Sequence, residues 1–417
     1  MIGRHLSRIE KYLQLDLDYY IKNSFYLILA RGTVMAVGLL LSIAFARMVG
    51  QEIYGQWNYL LSIVSICAII SLPGMNTAIA KAVATGKEYV LITATKSRFK
   101  WSFLGSLAII GVGLYYLLSG ESELGKGFIA ASLLFPFFQN LESYAAFLSG
   151  KKQFDILAKY RIFTQLAVLV VTISVIYLSQ NLMFIVVAYL LTYSIFRGYF
   201  FKRASRHITE REHDPEAISF GRHITVTQIP GVIRQHYDKL IIALFLSFPE
   251  LAVYSIAVAF SSLLDPFRSI IASLILPKLS QMDAKTAYTE VKKRWYFMVI
   301  GFGVICGVLI VLCPYLIPLL YSSKYTESVV YAQLLFVSSI IAAPTPVINK
   351  ALFPSQRRIK DLYKLNIASF IVSIVLISIL VRYYGLLGAA IAIIAIRTFN
   401  TLYSLKLAGF LTPGSPE

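Results

Sequence analysis

The chain has 417 residues, of which 57% are hydrophobic and only 14% are charged, against about 25% charged residues in ordinary soluble domains. A mean hydropathy of +0.69 leaves too little polar surface for a water-soluble protein of this length, which excludes a soluble enzyme. The formal net charge of +18 has two competing explanations, either membrane topology or an anionic substrate held in a basic cavity.

The amino-terminal residues combine basic side chains with an apolar stripe. Leu6, Ile9, Leu13 and Leu17 recur at three- and four-residue spacing, which places them on one helical face. No apolar core of signal-peptide type is present in this stretch. We therefore predict an amphipathic helix over residues 1–22 that lies on the inner leaflet before the first span.

Twelve apolar stretches of transmembrane length follow, separated by short polar breaks. About twelve spans of about 20 residues fill a chain of this length and leave no room for a sizeable soluble domain. The sequence thus predicts an all-α integral membrane protein. The predicted spans are about 24–47, 55–80, 101–119, 127–149, 162–179, 182–201, 223–247, 251–276, 295–320, 328–352, 365–382 and 386–408.

Basic residues concentrate in every second break. The break after the second span, for example, carries Lys81, Lys87, Lys96, Arg98 and Lys100. Since cytoplasmic loops collect Lys and Arg, this alternation predicts that both termini are cytoplasmic and that most of the net charge reflects topology. The six breaks on the other side carry four basic residues in all: Arg47, Lys126, Lys324 and Arg382.

The longest polar stretch divides the chain into two halves of six predicted spans. We predict an amino-terminal six-helix lobe over 23–201, a cytoplasmic linker over 202–222 and a carboxy-terminal six-helix lobe over 223–417. Because each half has an even number of spans, both halves enter the membrane from the same side. Repeats of this kind are related by a pseudo-two-fold axis along the membrane normal.

Ionisable residues inside the predicted spans are the best functional signal, because such residues are costly in lipid. Span seven has the densest group, which includes a Pro-Gly pair at 230–231 that loosens the helix. The alternative to a cavity lining is a structural pair between Arg234 and Asp238 at i and i+4. The polar members of the group are Gln228, Arg234, His236, Asp238 and Lys239.

Four other spans carry polar residues. Asp265 and Arg268 flank a proline in span eight, as a cavity lining or as a structural pair. Arg31 in span one either lines the cavity or snorkels to the headgroups, and Asn76 follows a Pro-Gly break in span two. Glu142 in span four is a candidate proton or cation coupling site, with helix–helix hydrogen bonding as the alternative.

These residues predict a basic central cavity. Fixed positive charge at low dielectric favours phosphate or pyrophosphate over cationic drugs, which would require acidic residues. The predicted pyrophosphate-binding residues are Arg31, Asn76, Gln228, Arg234, Lys239 and Arg268. The predicted ion-coupling or pairing residues are Glu142, His236, Asp238 and Asp265.

The sequence gives no argument for a catalytic residue, a cofactor or a metal site. Residues 120–127 fit the spacing of a phosphate-binding loop as far as Lys126, but Gly127 stands where Ser or Thr is needed. His207 and His213 have no ligand partners at metal-binding spacing. We accordingly expect a protein that is not an enzyme and does not bind nucleic acid.

Six segments, in this order, resemble a known membrane protein family. They are 46–57 (ARMVGQEIYGQW), 72–78 (LPGMNTA), 238–242 (DKLII), 253–257 (VYSIA), 276–280 (LPKLS) and 384–392 (YGLLGAAIA). The family is that of the polysaccharide flippases (O-antigen and related exporters) of the multidrug/oligosaccharidyl-lipid/polysaccharide superfamily. The turn between spans seven and eight departs from the family pattern, with Ser247 and Phe248 in place of its glycine and with Ala252 in place of another glycine.

The resemblance implies a function and a location. It implies transport of an undecaprenyl-pyrophosphate-linked oligosaccharide across the bacterial inner membrane by two rocking lobes, driven by an ion gradient. The implied partners are the lipid-linked glycan, membrane lipid and envelope glycan-assembly proteins. The alternatives are a multidrug or cation antiporter of the same superfamily, which the basic charge disfavours, and a membrane glycan polymerase or ligase, which the short outer breaks disfavour.

Overall fold

The computed structural model describes residues 17–206, 208 and 214–409, and within these ranges the secondary structure is entirely helical. Most of the predicted amphipathic helix, together with His207 and His213, lies outside the described residues. The helices of the first half are α1 (Leu17–Met48), α2 (Gln51–Cys67), α3 (Met75–Ala84), α4 (Val90–Leu118), α5 (Ser122–Asn140), α6 (Ser143–Gly150), α7 (Phe154–Leu178) and α8 (Leu182–Ser205).

The second half continues in the same way. Its helices are α9 (Pro215–Phe245), α10 (Phe248–Ser261), α11 (Asp265–Ser280), α12 (Ala284–Tyr321), α13 (Ser328–Ile341), α14 (Thr345–Val347), α15 (Phe353–Ser355) and α16 (Ile359–Leu407). A π-helical segment over Ile348–Leu352 links α14 to α15. An entirely helical backbone satisfies its own hydrogen bonds, as a chain in lipid requires.

Eight helical stretches of the described residues are long and apolar enough to cross a membrane. Ser328–Ile341 and Thr345–Ser355, bent by 45° at their junction, raise the number to nine if they form one broken span. The protein is therefore a multi-pass membrane protein. The eight stretches are Phe25–Met48, Gln51–Ser71, Val90–Leu118, Phe154–Leu178, Leu182–Ser205, Phe248–Ser280, Ala284–Tyr321 and Ile359–Leu407.

Helix α16 is a helical hairpin. Its 49 residues would extend about 73 Å at about 1.5 Å per residue, more than twice a hydrocarbon core of about 30 Å. Gly385 breaks it with φ +58° and ψ −139°, and Ser369 bonds to Asn400 across the two arms. A Cβ atom on Gly388 would lie 1.8 Å from the Leu380 carbonyl oxygen, so only glycine fits this reversal.

Several other helices are interrupted where the sequence has proline or glycine. A 3₁₀ turn over Ala68–Ser71 precedes Leu72, whose φ of +56° turns the chain before α3 begins. A second 3₁₀ turn over Ser262–Leu264 comes directly before α11, where Pro266 occupies the first turn. Both breaks were predicted from the sequence, whereas α9 continues without interruption through Pro230.

The chain divides into two compact units. The first comprises residues 1–44 and 67–228, and the second comprises 45–66 and 229–417. In the first unit, buried residues of α3, α4 and α6, such as Ile79, Leu91 and Phe147, form one hydrophobic core. In the second unit, residues of α11, the π-helical segment and α15 form another, with Ala272, Leu352 and Phe353 buried.

Candidate functional site

The polar group of α9 packs within the second unit against α2 and α10. The Tyr254 hydroxyl donates to Asp238 Oδ2 at 2.7 Å, and the Lys239 backbone N–H donates to Asp238 Oδ1 at 2.8 Å. Lys239 Nζ donates to Asn58 Oδ1 at 3.1 Å. The Asp238 carboxylate is thus held by neutral donors, and the Lys239 ammonium contacts a neutral acceptor.

Arg234 does not form the pair with Asp238 that its i,i+4 spacing allows. The Asp238 side chain turns to Tyr254 instead, and Arg234 is half-buried with no hydrogen bond or ion pair to any described residue. His236 is half-buried as well and forms no hydrogen bond within the described chain. Arg234 and Lys239 are therefore the half-buried cations of α9, and neither forms an ion pair with a described carboxylate.

A second basic group of this unit converges on Ser339 of α13. Arg268 is buried, with 7% of its surface exposed, and forms an ion pair with Asp265. It also points one guanidinium nitrogen at the Ser339 carbonyl oxygen, at 3.5 Å. Arg397 donates to Ser339 Oγ at 2.6 Å. The pair that the Asp265–Arg268 spacing suggested is present, and Arg397 leaves one positive charge in excess.

Two basic residues of this region form side-chain hydrogen bonds that the sequence did not indicate. Lys350 and Arg397 lie within the tenth and twelfth predicted spans, at 328–352 and 386–408. Arg397 is half-buried against α13, and Lys350 lies in the π-helical segment, where its Nζ donates to Ser269 Oγ at 3.0 Å. π-helical turns occur frequently at functional sites, and the prolines that flank this segment were the signal for an irregular helix.

Arg98 is the main residue that sequence reasoning misplaced. Counted as a loop cation, it lies inside α4 with 2% of its surface exposed. Its guanidinium donates to Asn76 Oδ1 and Ser143 Oγ, both at 2.8 Å, to the Gln139 carbonyl at 2.9 Å and to the Ser71 carbonyl at 3.1 Å. Arg98 therefore ties the break after α2 to the break between α5 and α6.

Two predicted site residues of the first unit already have polar partners. Asn76 accepts from Arg98, so its side-chain oxygen is occupied within the protein. Glu142, predicted as a lone acid, is 3.0 Å from an Arg197 guanidinium nitrogen. Arg197 also lies over the ring of Phe138, 4.6 Å from its centre. These contacts give Arg98, Asn76, Glu142 and Arg197 structural partners in the first unit.

The remaining predicted residues are less engaged. Arg31 on α1 is exposed and Gln228 on α9 is half-buried, and neither forms a hydrogen bond to a described residue. Arg31, Asn76 and Gln228 belong to the first unit, whereas Arg234, Lys239 and Arg268 belong to the second. That all six line one cavity stays a prediction. Within the described ranges, no three His, Cys, Asp or Glu side chains stand close enough to hold a metal ion.

The fold matches solved membrane transporters. A lipid II flippase, MurJ, in an inward closed conformation has a TM-score of 0.71 at 14% identity, over 92% of this chain and 87% of that one. An inward-facing MATE multidrug transporter of the MOP superfamily has a TM-score of 0.61 at 14% identity, over 89% and 97%. A mutant of the Vibrio cholerae MATE transporter VcmN has a TM-score of 0.61 at 12% identity, over 94% and 96%.

These matches define the class as a multi-pass membrane protein with the fold shared by lipid flippases and MATE transporters. The family follows from the sequence itself, because a family model described as polysaccharide biosynthesis protein matches residues 44–330. The chain belongs to that family, which confirms the resemblance to polysaccharide exporters. No curated protein matches the chain.

Proposed function

We propose that this protein flips an undecaprenyl-pyrophosphate-linked oligosaccharide across the bacterial inner membrane by alternating access. The observation that carries the proposal is the pair of cations on α9, Arg234 and Lys239, in a member of the polysaccharide biosynthesis family. Neither cation is neutralised by an ion pair within the described chain, so both are free to bind an anionic group. A pyrophosphate supplies the charge that would compensate them.

The basic residues would act in two groups on the substrate's pyrophosphate. Lys239 presents an ammonium whose only described side-chain acceptor is the neutral Asn58, which a phosphate oxygen would outcompete. Arg268 and Arg397 both contact Ser339, and the carboxylate of Asp265 is paired with Arg268. One positive charge of this group therefore remains in excess. Arg31, Asn76 and Gln228 complete the proposed binding set.

Twelve spans in two six-helix lobes, with both termini cytoplasmic, are the proposed topology. The hairpin in α16 supplies two spans at Gly385, and the bent pair of α13 to α15 supplies one. The remaining two spans are α5–α6 and α9. Their polar residues lower their hydropathy, so they are not among the eight most apolar stretches. Polar helices of this kind are tolerated where they line a water-filled cavity.

The proposed driving force is an ion gradient, with Asp238 as the coupling carboxylate. Asp265 and Glu142 are neutralised by Arg268 and Arg197, whereas the described partners of Asp238 are a hydroxyl and a backbone amide. The antiporter alternative draws on the MATE fold, but the cations Arg234 and Lys239 on the same helix as Asp238 disfavour a cationic substrate. The proposed partners, besides lipid and substrate, are envelope proteins that assemble the glycan.

Substitution of the α9 cations tests this function. Arg234→Ala and Lys239→Ala should each lower glycan export by roughly tenfold or more, since each removes a charge-assisted contact of about 1.5–3 kcal/mol to the pyrophosphate. Export is measured in a deletion strain complemented with each variant, with membrane abundance checked by immunoblotting. Lys293→Ala, which removes an exposed cation of α12, is the matched control. Normal export by both α9 variants would contradict the binding role.

A further inference from the structure

A separate cavity of about 320 Å³ lies at the ends of α6, α7 and α8 in the first unit. Its wall is apolar at Phe147, Leu148 and Ile156, of which the first two are buried. Its polar lining consists of Lys151, Gln153, Tyr160 and Arg203. The cavity contains none of the residues assigned above to the transport site.

The polar lining is rich in donors and poor in acceptors. The side chains of Gln153, Tyr160 and Arg203 form no hydrogen bond or ion pair with the described part of the chain. Lys151 is paired with Glu88, which leaves Arg203 as the lining cation without a described partner. An amide, a phenol and a guanidinium directed at one space match the oxygens of a phosphate group.

An apolar path leads away from this cavity along α7 and α8. Tyr160 stacks on Phe200, with ring centres 3.9 Å apart, and Phe163 meets Phe196 edge to face at 5.2 Å. Phe163 and Tyr199 are more than half exposed on the outer surface of these helices. A ligand with an anionic head in the cavity and an acyl chain along the aromatic surface fits both features.

We propose that this cavity binds the phosphate headgroup of an anionic phospholipid, as a site separate from that of the transported glycan. Its volume lies at the lower end of the range for small-ligand pockets, about 300–1,000 Å³, which suits a single headgroup. The proposed orientation places the ends of α6 and α8 at the cytoplasmic surface, where anionic lipids and basic residues attract each other. The site therefore takes its ligand from the inner leaflet.

Lipid binding to the purified full-length protein tests the site independently of transport. Native mass spectrometry in detergent should show phosphatidylglycerol retained in preference to phosphatidylcholine. Arg203→Gln should weaken phosphatidylglycerol binding roughly tenfold, and Tyr160→Phe by a smaller factor, because each removes donors to the phosphate. Lys202→Gln removes the same charge one residue away without lining the cavity, and its binding should equal that of the wild type.

Two results would overturn the proposal. One is equal phosphatidylglycerol binding by the wild type and Arg203→Gln, with both proteins eluting as monodisperse folded protein. The other is competition by millimolar inorganic phosphate, which would identify a site for a soluble anion in place of a lipid. The readout is lipid binding and does not depend on transport. Lipid binding can therefore be shown even if the flippase proposal fails, and its absence does not contradict the flippase proposal.

Discussion

Among single residues, Arg98 shows most clearly what charge counting misses. The break after the second span is basic, so charge counting assigns Arg98 to a cytoplasmic loop together with its neighbours. Helix α4 begins at Val90, however, about ten residues before the predicted start of span three. The extra turns carry Arg98 inward to the carbonyls that the helix breaks leave unpaired. A hydropathy profile does not detect the burial of Arg98, because it gives a buried guanidinium with four hydrogen-bond partners the same value as an exposed one.

Removing Arg98 should destabilise the protein without any direct effect on substrate binding. Arg98→Ala leaves the Asn76, Ser71 and Gln139 oxygens buried without their donor, at a cost of about 3 kcal/mol or more. Arg98→Lys keeps the charge but not the planar guanidinium, so its stability should lie between that of the wild type and that of Arg98→Ala. The measurement is the thermal unfolding midpoint of purified protein in detergent.

The control for Arg98 is Lys100→Ala, which removes an exposed cation of the same helix. Its unfolding midpoint should stay near that of the wild type. If Arg98→Ala unfolds no earlier than Lys100→Ala, the buried hydrogen bonds of Arg98 do not stabilise the helix breaks.

Spacing rules succeeded for one ion pair and failed for another. Asp265 and Arg268 pair at i and i+3, as their positions allow. Arg234 and Asp238 have equally suitable spacing, but the Tyr254 hydroxyl of a neighbouring helix captures the carboxylate. A sequence shows which partners a helix offers, and tertiary neighbours decide between them.

Among the helices, proline and glycine marked most of the breaks correctly. The turns before Met75 and Pro266 fall where the sequence predicted them, and so does the reversal at Gly385. The π-helical segment at Ile348–Leu352 was not predicted, because the prolines that flank it indicate an irregular helix whereas the kind of turn depends on packing. The existence of the helices could thus be predicted from apolar length, and most of their breaks from proline and glycine. The kind of turn at each break depends on packing and could not be predicted.

The close approach at Gly388 predicts that a single methyl group disrupts the α16 hairpin. In Gly388→Ala the new Cβ would overlap the Leu380 carbonyl, so the two arms must separate at a cost of roughly 2 kcal/mol or more. We expect a lower unfolding midpoint in detergent and less protein in the membrane.

Gly301→Ala is the matched control for the hairpin, because a Cβ there meets no atom within 4 Å. That variant should be neutral or slightly stabilised, since alanine favours a helix over glycine. A Gly388→Ala protein as stable as Gly301→Ala would show that the arms of α16 do not meet in the native protein.

At the level of the whole molecule, composition and hydropathy were sufficient for the class of protein. An apolar chain with polar breaks predicted a multi-pass helical membrane protein, which the structure and the family match confirm. The list of site residues was harder to predict, because Asn76, Glu142 and Arg268 have partners from other parts of the chain. Of the predicted basic residues, Arg31, Arg234 and Lys239 form no ion pair with a described carboxylate, and only the last two are half-buried.

The sidedness of the lipid-linked glycan in cells depleted of this protein tests the account most directly. A flippase moves a finished lipid-linked glycan, so depletion should cause that glycan to accumulate several-fold on the cytoplasmic face. There it is protected in intact spheroplasts from a membrane-impermeant oxidant such as periodate, and re-expression should restore its accessibility. An accumulated glycan that is fully accessible from outside, or a pool unchanged by depletion, would contradict the proposed function.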